Sequence, residues 1–211
     1  MFLVGLDLGK RHDPAAIAVV ERVDRGRAFQ PAKFERLGVR HVERLALGTP
    51  YPRVVERVRE VVQHEELRQN RCVLVVDATG VGEPVVDLLR RARLGCEICA
   101  VTITGGEHAR ANGLAAVGGG WSVPKQDLIA AVQVLLEHDE LRISRNMRDW
   151  GWLVRELLDI QSTARSNGKV RLGADEWGQH DDLVIALALA CWRAKRGQNQ
   201  HGVGPLPGVT Y

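Results

Sequence analysis

Three aspartates occupy places where a carboxylate is hard to explain by solubility alone. Asp7 lies inside VGLDLG, Asp77 closes VLVVDATG, and Asp182, next to Asp181, opens the apolar run DLVIALALA. A carboxylate set against a core is costly unless it meets a cation or donors. Three of them carried to one sheet end would form an all-oxygen donor set, which hard divalent cations prefer. Other readings stand beside this one. Asp77 before Ala-Thr-Gly also reads as a turn cap. Asp181 and Asp182 also read as N-cap and first-turn acids that answer a helix dipole. Asp7 has neither alternative, because apolar residues flank it within its run.

The elements that must position these acids follow from hydrophobic period and turn chemistry. Phe2 to Leu8 predicts a buried strand, Asp13-Pro14 a turn, and Ala15 to Glu21 a second strand pairing back as a hairpin. Lys33 to Val42 predicts a third strand. Thr49-Pro50 starts a helix with Val54, Val55, Val58, Val61 and Val62 on one face. Cys72 to Asp77 is an unbroken apolar strand flanked by helices, as parallel strands are. Gly80 to Pro84 turns into a helix whose inward stripe is Val85, Leu88, Leu89 and Ala92, and Ile98 to Ile103 follows as a strand.

The polar, glycine-rich stretch from Thr104 to Trp121 reads as a long loop, of the kind that usually serves function or moves. Ser122 and Pro124 start a helix with Leu128, Ile129, Val132, Leu135 and Leu136 inward, and Leu141 to Ile143 makes a short strand. Trp150, Leu153, Val154, Leu157 and Leu158 define another helix, and Ser166-Asn167-Gly168 a turn within a hairpin that includes Lys169 to Leu172. Asp181 to Ala194 is a buried helix, apolar nearly all round. The expected organisation is one α/β domain over 1–194, with a mixed sheet of three antiparallel strands followed by parallel ones and helices on both faces. Gly, Gln, Asn and Pro from Lys195 onward predict a disordered tail over 195–211.

Composition bounds the rest. The 211 residues carry a net charge of +3, compatible with a polyanionic partner without demanding one. Cys72 and Cys191 sit in apolar runs as reduced core residues, and Cys96 and Cys99 have no second metal-binding pair near them. No segment has a signal-peptide layout or the length of a membrane span, so a soluble, cytoplasmic protein without membrane contact is expected. Basic and aromatic residues show no interleaving that suggests single-strand stacking, and the five tryptophans are expected to pack helices.

With these elements in order, the chain resembles the RNase H-like nucleases, and more closely the nuclease domain of the large terminase subunit of tailed phages. The resemblance runs from Val4 to about Trp192. It is carried by GLDLGKRHDPAAIAVVE, VVDATGVGEPVVDLL, SVPKQDLI and HDDLVIALALA in that order.

It implies a DNA endonuclease with two Mg²⁺ or Mn²⁺ ions held by Asp7, Asp77 and Asp182, with Asp181 as the second candidate on the last helix. His180 is a possible auxiliary residue. Lys125 matches a lysine common in terminase nucleases and reads as a contact to DNA phosphate or to a carboxylate, or as a solvated lysine; Arg11, bordering the crevice, and Arg110, in the long loop, read as contacts to DNA phosphates. Implied partners are double-stranded DNA, an ATPase motor, a small terminase subunit and a portal, in a bacterial host cytoplasm. Holliday-junction resolvases carry a further acid one turn after the Asp182 position, where this chain has Ile185. A catalytically inactive DNA-binding module is the other alternative. The chain itself has no G-x-x-x-x-G-K-[ST] loop, and hence no ATPase motor of that type.

Overall fold

The structure, a computed structural model, describes residues 1–9, 13–23, 36–80, 82–112, 120–166 and 181–199. Its strands are β1 (Phe2–Asp7), β2 (Ala16–Val23), β3 (Arg36–Arg44), β4 (Cys72–Asp77), β5 (Glu97–Thr104), β6 (Arg110–Ala111), β7 (Gly120–Pro124) and β8 (Leu141–Ile143). The helices are α1 (Tyr51–Val62), α2 (Glu65–Arg68), α3 (Gly82–Arg91), α4 (Lys125–Glu137), α5 (Trp150–Ser166) and α6 (Asp182–Asn199).

All eight strands join one sheet in the order β6-β7-β5-β4-β1-β2-β3-β8. The hairpins β1–β2 and β2–β3 are antiparallel, while β4, β5 and β7 add in parallel on the other side of β1. Every strand except β2 and β6 therefore ends at the same edge of the sheet. The expected mixed sheet is present, with helices on both faces. Alternation along the strands divides the core in two. Leu3 of β1 and Val73 and Val75 of β4 pack with α4, α5 and α6. Phe2, Val4, Leu6, Leu74 and Val76 face α1 and α3 instead.

Helix α6 lies against β1 because β1 offers no side chain where they cross. A Cβ on Gly5 would stand 1.8 Å from the Ala186 carbonyl oxygen. Leu183, Leu187 and Leu189 are fully buried around this crossing, as the all-round apolar pattern demands.

Four local expectations differ from the structure. The stretch from Thr104 to Trp121 is not simply a loop, since β6 and the start of β7 lie in it and β7 runs on through Pro124. Pro124 supplies no N–H and is tolerated there next to the sheet edge. On α3 the buried face is Val85, Val86 and Leu89, with Leu88 exposed, because Val86 packs on Ala78 and Ala100. Helix α6 continues to Asn199, past the Ala194 boundary set by composition. Trp121 and Trp192 do pack edge to face, 5.9 Å between centroids, but Trp152 on α5 is 51% exposed. The expected hairpin near Lys169 lies outside the described residues. Among the described residues no helix is long and apolar enough to cross a membrane.

Candidate active site

Strand parity and parallel register together bring Asp7 and Asp77 side by side. β1 pairs with β4 from Phe2↔Cys72 to Leu6↔Val76, and the two aspartates are the next residues along. Both share the parity of Leu3 and Val73, so both side chains face α6 rather than α1. Asp182 arrives at the same place by arithmetic of rise. It precedes Ala186, the residue over Gly5, by four positions, or about 6 Å of helix. Asp7 follows Gly5 by two strand positions, or about 6.6 Å. The helix runs opposite to β1, so its first turn ends beside the strand's last residue.

A cleft of about 290 Å³ opens at this sheet edge. Its lining includes Asp7, Asp77, Asp181, Asp182 and Lys125, together with Asp13, Thr79 and Ile185. Five carboxylates thus share one cleft. Asp13, read from sequence only as a turn residue, is the one not anticipated.

Each acid is held. Asp7 Oδ1 accepts the Gly9 N–H at 3.1 Å, and Asp77 Oδ1 accepts the Thr79 N–H at 2.8 Å. The turn-capping role of Asp77 therefore coexists with its place in the cleft. Thr79 Oγ1 in turn accepts the Ile103 N–H at 2.7 Å, tying this turn to β5. Gly9 has φ +61, and a Cβ there would meet the Asp13 carbonyl at 2.4 Å, so this position requires glycine. Asp181 precedes α6, its carbonyl accepting from Ile185 at 2.9 Å, while its Oδ2 meets Lys125 Nζ at 2.6 Å. The Asp181 carboxylate thus goes to a cation across the cleft.

Asp182 is 3% exposed, and its partners were not legible in sequence. Arg44, the last residue of β3, brings Nε to 3.6 Å from Asp182 Oδ2 and pairs with Glu156 of α5. Glu156 is 4% exposed, and its Oε2 accepts the Val184 N–H at 3.0 Å. It therefore satisfies a first-turn amide of α6 from another helix. Asp149 accepts the Arg44 N–H at 2.9 Å. The only sequence signal for Glu156 was its place in the turn between Leu153 and Ile160, on the inward stripe of α5.

Burial governs the electrostatics, and the neighbouring carboxylates add to it. Burial, then the charge of Asp77, raises the Asp7 carboxyl well above the usual carboxylate range, with smaller additions from Asp182 and Asp181. Burial lifts Asp182 to about 7, with Asp13 and Asp181 adding and Arg44 opposing. Burial likewise lifts Glu156 to about 7, against the Val184 N–H and Arg44.

The donors fit a hard divalent cation in type and charge: they are oxygens, they repel one another, and the buried Asp182 Oδ2 accepts no hydrogen bond. As the side chains stand, no three His, Cys, Asp or Glu among the described residues are grouped tightly enough to hold an ion. Asp181 pairs with Lys125 and Asp182 with Arg44. Arg110 is exposed on the edge strand β6 and does not line the cleft. Arg11 and His180 lie outside the described residues.

Solved structures with this fold exist. The nuclease domain of the large terminase g2p from bacteriophage SPP1, with bound Mn, aligns with a TM-score of 0.51 at 15% identity, covering 91% of this chain and 85% of that one. The human cytomegalovirus terminase nuclease domain aligns with a TM-score of 0.51 at 12% identity, covering 90% and 83%. RuvC from Thermus thermophilus aligns over 94% and 96% at 16% identity, but its TM-score of 0.43 is too low to weigh. No curated protein matches the chain. The family described as the terminase RNaseH-like domain matches residues 4–193, nearly the whole length, and this chain belongs to it.

Proposed function

We propose that this protein is a metal-dependent endodeoxyribonuclease that cuts double-stranded DNA through the cleft of Asp7, Asp77 and Asp182. The observation that carries the reading is the convergence of five carboxylates and one lysine at a single sheet edge. Two Mg²⁺ or Mn²⁺ ions held by Asp7, Asp77 and Asp182 would supply water activation and stabilise the departing oxygen. The manganese in the SPP1 domain supports that choice of ion.

The chain's own residues prepare the reaction. The turn amides of Gly9 and Thr79 fix the carboxylates of Asp7 and Asp77. Glu156 anchors the first turn of α6 and so the position of Asp182. Lys125 holds Asp181 on the far wall and offers a cation to a phosphate oxygen. Water adds to phosphorus, the P–O3′ bond breaks, and the products carry 5′-phosphate and 3′-hydroxyl ends.

Membership of this family supports a setting for the activity. The activity resides in one domain over 1–194 and cuts concatemeric viral DNA during packaging in the host cytoplasm. It works with an ATPase motor, a small subunit and a portal. Ile185, buried where resolvases carry an acid, weighs against four-way junctions as substrate.

Supercoiled plasmid incubated with the protein in Mn²⁺, Mg²⁺ or EDTA tests this reading, with Asp77→Ala alongside. Nicked and linear DNA is expected in metal and not in EDTA, with the variant slower by about three orders of magnitude. Absence of cleavage by folded protein in both metals would favour a module that only binds DNA.

A further inference from the structure

The segment from Leu141 to Leu158 leaves β8 at the same sheet edge as the cleft and turns into α5. Its acids, Asp149 and Glu156, both point inward to Arg44, with side chains only 14% and 4% exposed. Its arginines, by contrast, face outward: Arg142, Arg145, Arg148 and Arg155 are all exposed. The segment therefore presents a cationic surface although its sequence contains both signs.

Trp152 stands in the middle of this surface. Arg155 and Arg44 flank its ring at 5.2 and 5.5 Å from the centroid. Neither covers the ring as Arg196 covers Trp121, at 4.0 Å, and about half of Trp152 stays open. An indole left open in a soluble fold loses the burial that normally stabilises it. One guanidinium separates it from the reaction centre, because Arg44 touches both the Trp152 ring and Asp182.

We propose that Trp152, Arg148 and Arg155 form a docking rim for an unpaired nucleotide of the DNA strand that enters the cleft. The base stacks on the indole, and flanking phosphates meet the two guanidiniums. Charge favours a polyanion: Asp149 and Glu156 turn inward, and exposed Asp139 and Asp159 at the two ends of the segment stand against four exposed arginines. The open aromatic face selects an unpaired base, because bases inside a duplex already have both faces covered. Arg148, itself exposed, contacts Asp149 and Glu43 at 3.3 and 3.8 Å, and both acids keep other partners, the Arg44 N–H and Arg57, when it turns to a phosphate. The proposal rests on the nuclease reading and adds to it a preference for DNA that is opened or distorted near the cut.

The test is fluorescence anisotropy in EDTA, where DNA stays intact. Labelled blunt duplex and a forked duplex with unpaired arms are compared for the unsubstituted protein, W152A, W152F and R148A/R155A. The unsubstituted protein should prefer the fork. W152A should weaken fork binding about tenfold and leave the blunt duplex nearly unchanged, while W152F retains most of the preference. R148A/R155A should weaken both substrates and lower the salt slope by about 2.

Melting curves confirm folding, which an exposed side chain should not disturb. Equal fork affinity for W152A and the parent overturns the rim while leaving the nuclease reading intact. So does displacement of DNA by polyglutamate as readily as by DNA, which assigns the surface to an acidic protein segment. No DNA binding by the unsubstituted protein overturns both.

Discussion

Asp182→Asn is expected to abolish cleavage while stabilising the metal-free protein at neutral pH. The two effects have one cause. Asp182 is nearly inaccessible, and burial lifts its carboxyl from an ordinary 3.8 to about 7. A carboxyl whose folded-state value is raised binds its proton more tightly when folded. Its contribution to stability is therefore fully present below about 3.8 and is lost as pH rises through about 7. Asparagine cannot ionise, so the variant escapes that loss. In EDTA its melting temperature should lie close to the parent's at pH 4 and exceed it by several degrees at pH 8.

Other groups titrate too, which makes the difference between the proteins the quantity to read. Glu43 is buried, yet hydrogen bonds from Arg57 and His41 hold it below its ordinary value. Asp149 likewise overcomes its burial through the Arg44 N–H. Both contribute stability that is lost on acidification, and both are common to parent and variant. In Mn²⁺ the order should reverse, because the parent gains binding energy that the variant lacks. Cleavage should fall by about three orders of magnitude. A variant less stable than the parent at every pH would mean that Asp182 is a structural partner of Arg44 and nothing more.

Gly5→Ala should be severely destabilising for a single added methyl. The added Cβ meets the Ala186 carbonyl oxygen at 1.8 Å and its carbon at 2.8 Å, with the Ala190 nitrogen at 3.3 Å beyond. All three are helix backbone, which cannot swing aside as a side chain can. Helix α6 must lift from β1, opening a crossing around which Leu183, Leu187 and Leu189 are fully buried. A cost of at least about 3 kcal/mol follows, at the top of the range for overpacking, with a fall of roughly 6–12 °C in melting temperature. Lifting the helix also withdraws Asp182 from Asp7, so cleavage should fail even where the variant stays folded. A melting temperature within about 2 °C of the parent would show that the helix does not seat on Gly5 in solution.

Much of this was legible in the sequence because the signals are local. VGLDLG and VLVVDATG declare buried strands ending in acids, and the all-apolar run after Asp182 declares a buried helix. Adjacent parallel strands then fix Asp7 beside Asp77 with no further information. The partners of Asp182 were not legible, because they depend on contacts distant in sequence. Arg44 ends a strand where any polar residue would look ordinary, and Glu156 sits among the leucines of α5 as a helical acid does anywhere. Asp13 looked complete as a turn residue before proline. Strands β6 and β7 hid in a glycine-rich stretch, since two residues, or five that include Gly120 and Pro124, carry no period to read. The tryptophans were expected in helix packing, yet Arg148, Trp150, Trp152 and Arg155 do interleave, and only the fold reveals that Trp152 faces outward.

Whether the cleft holds Mn²⁺ is settled by calorimetric titration of the parent and of Asp7→Asn without DNA. Saturable binding by the parent is expected, weakened by at least about tenfold in the variant, with the fold of both confirmed by melting. Folded parent that binds no Mn²⁺, or equal binding by the two proteins, would contradict a metal-dependent nuclease built on these acids.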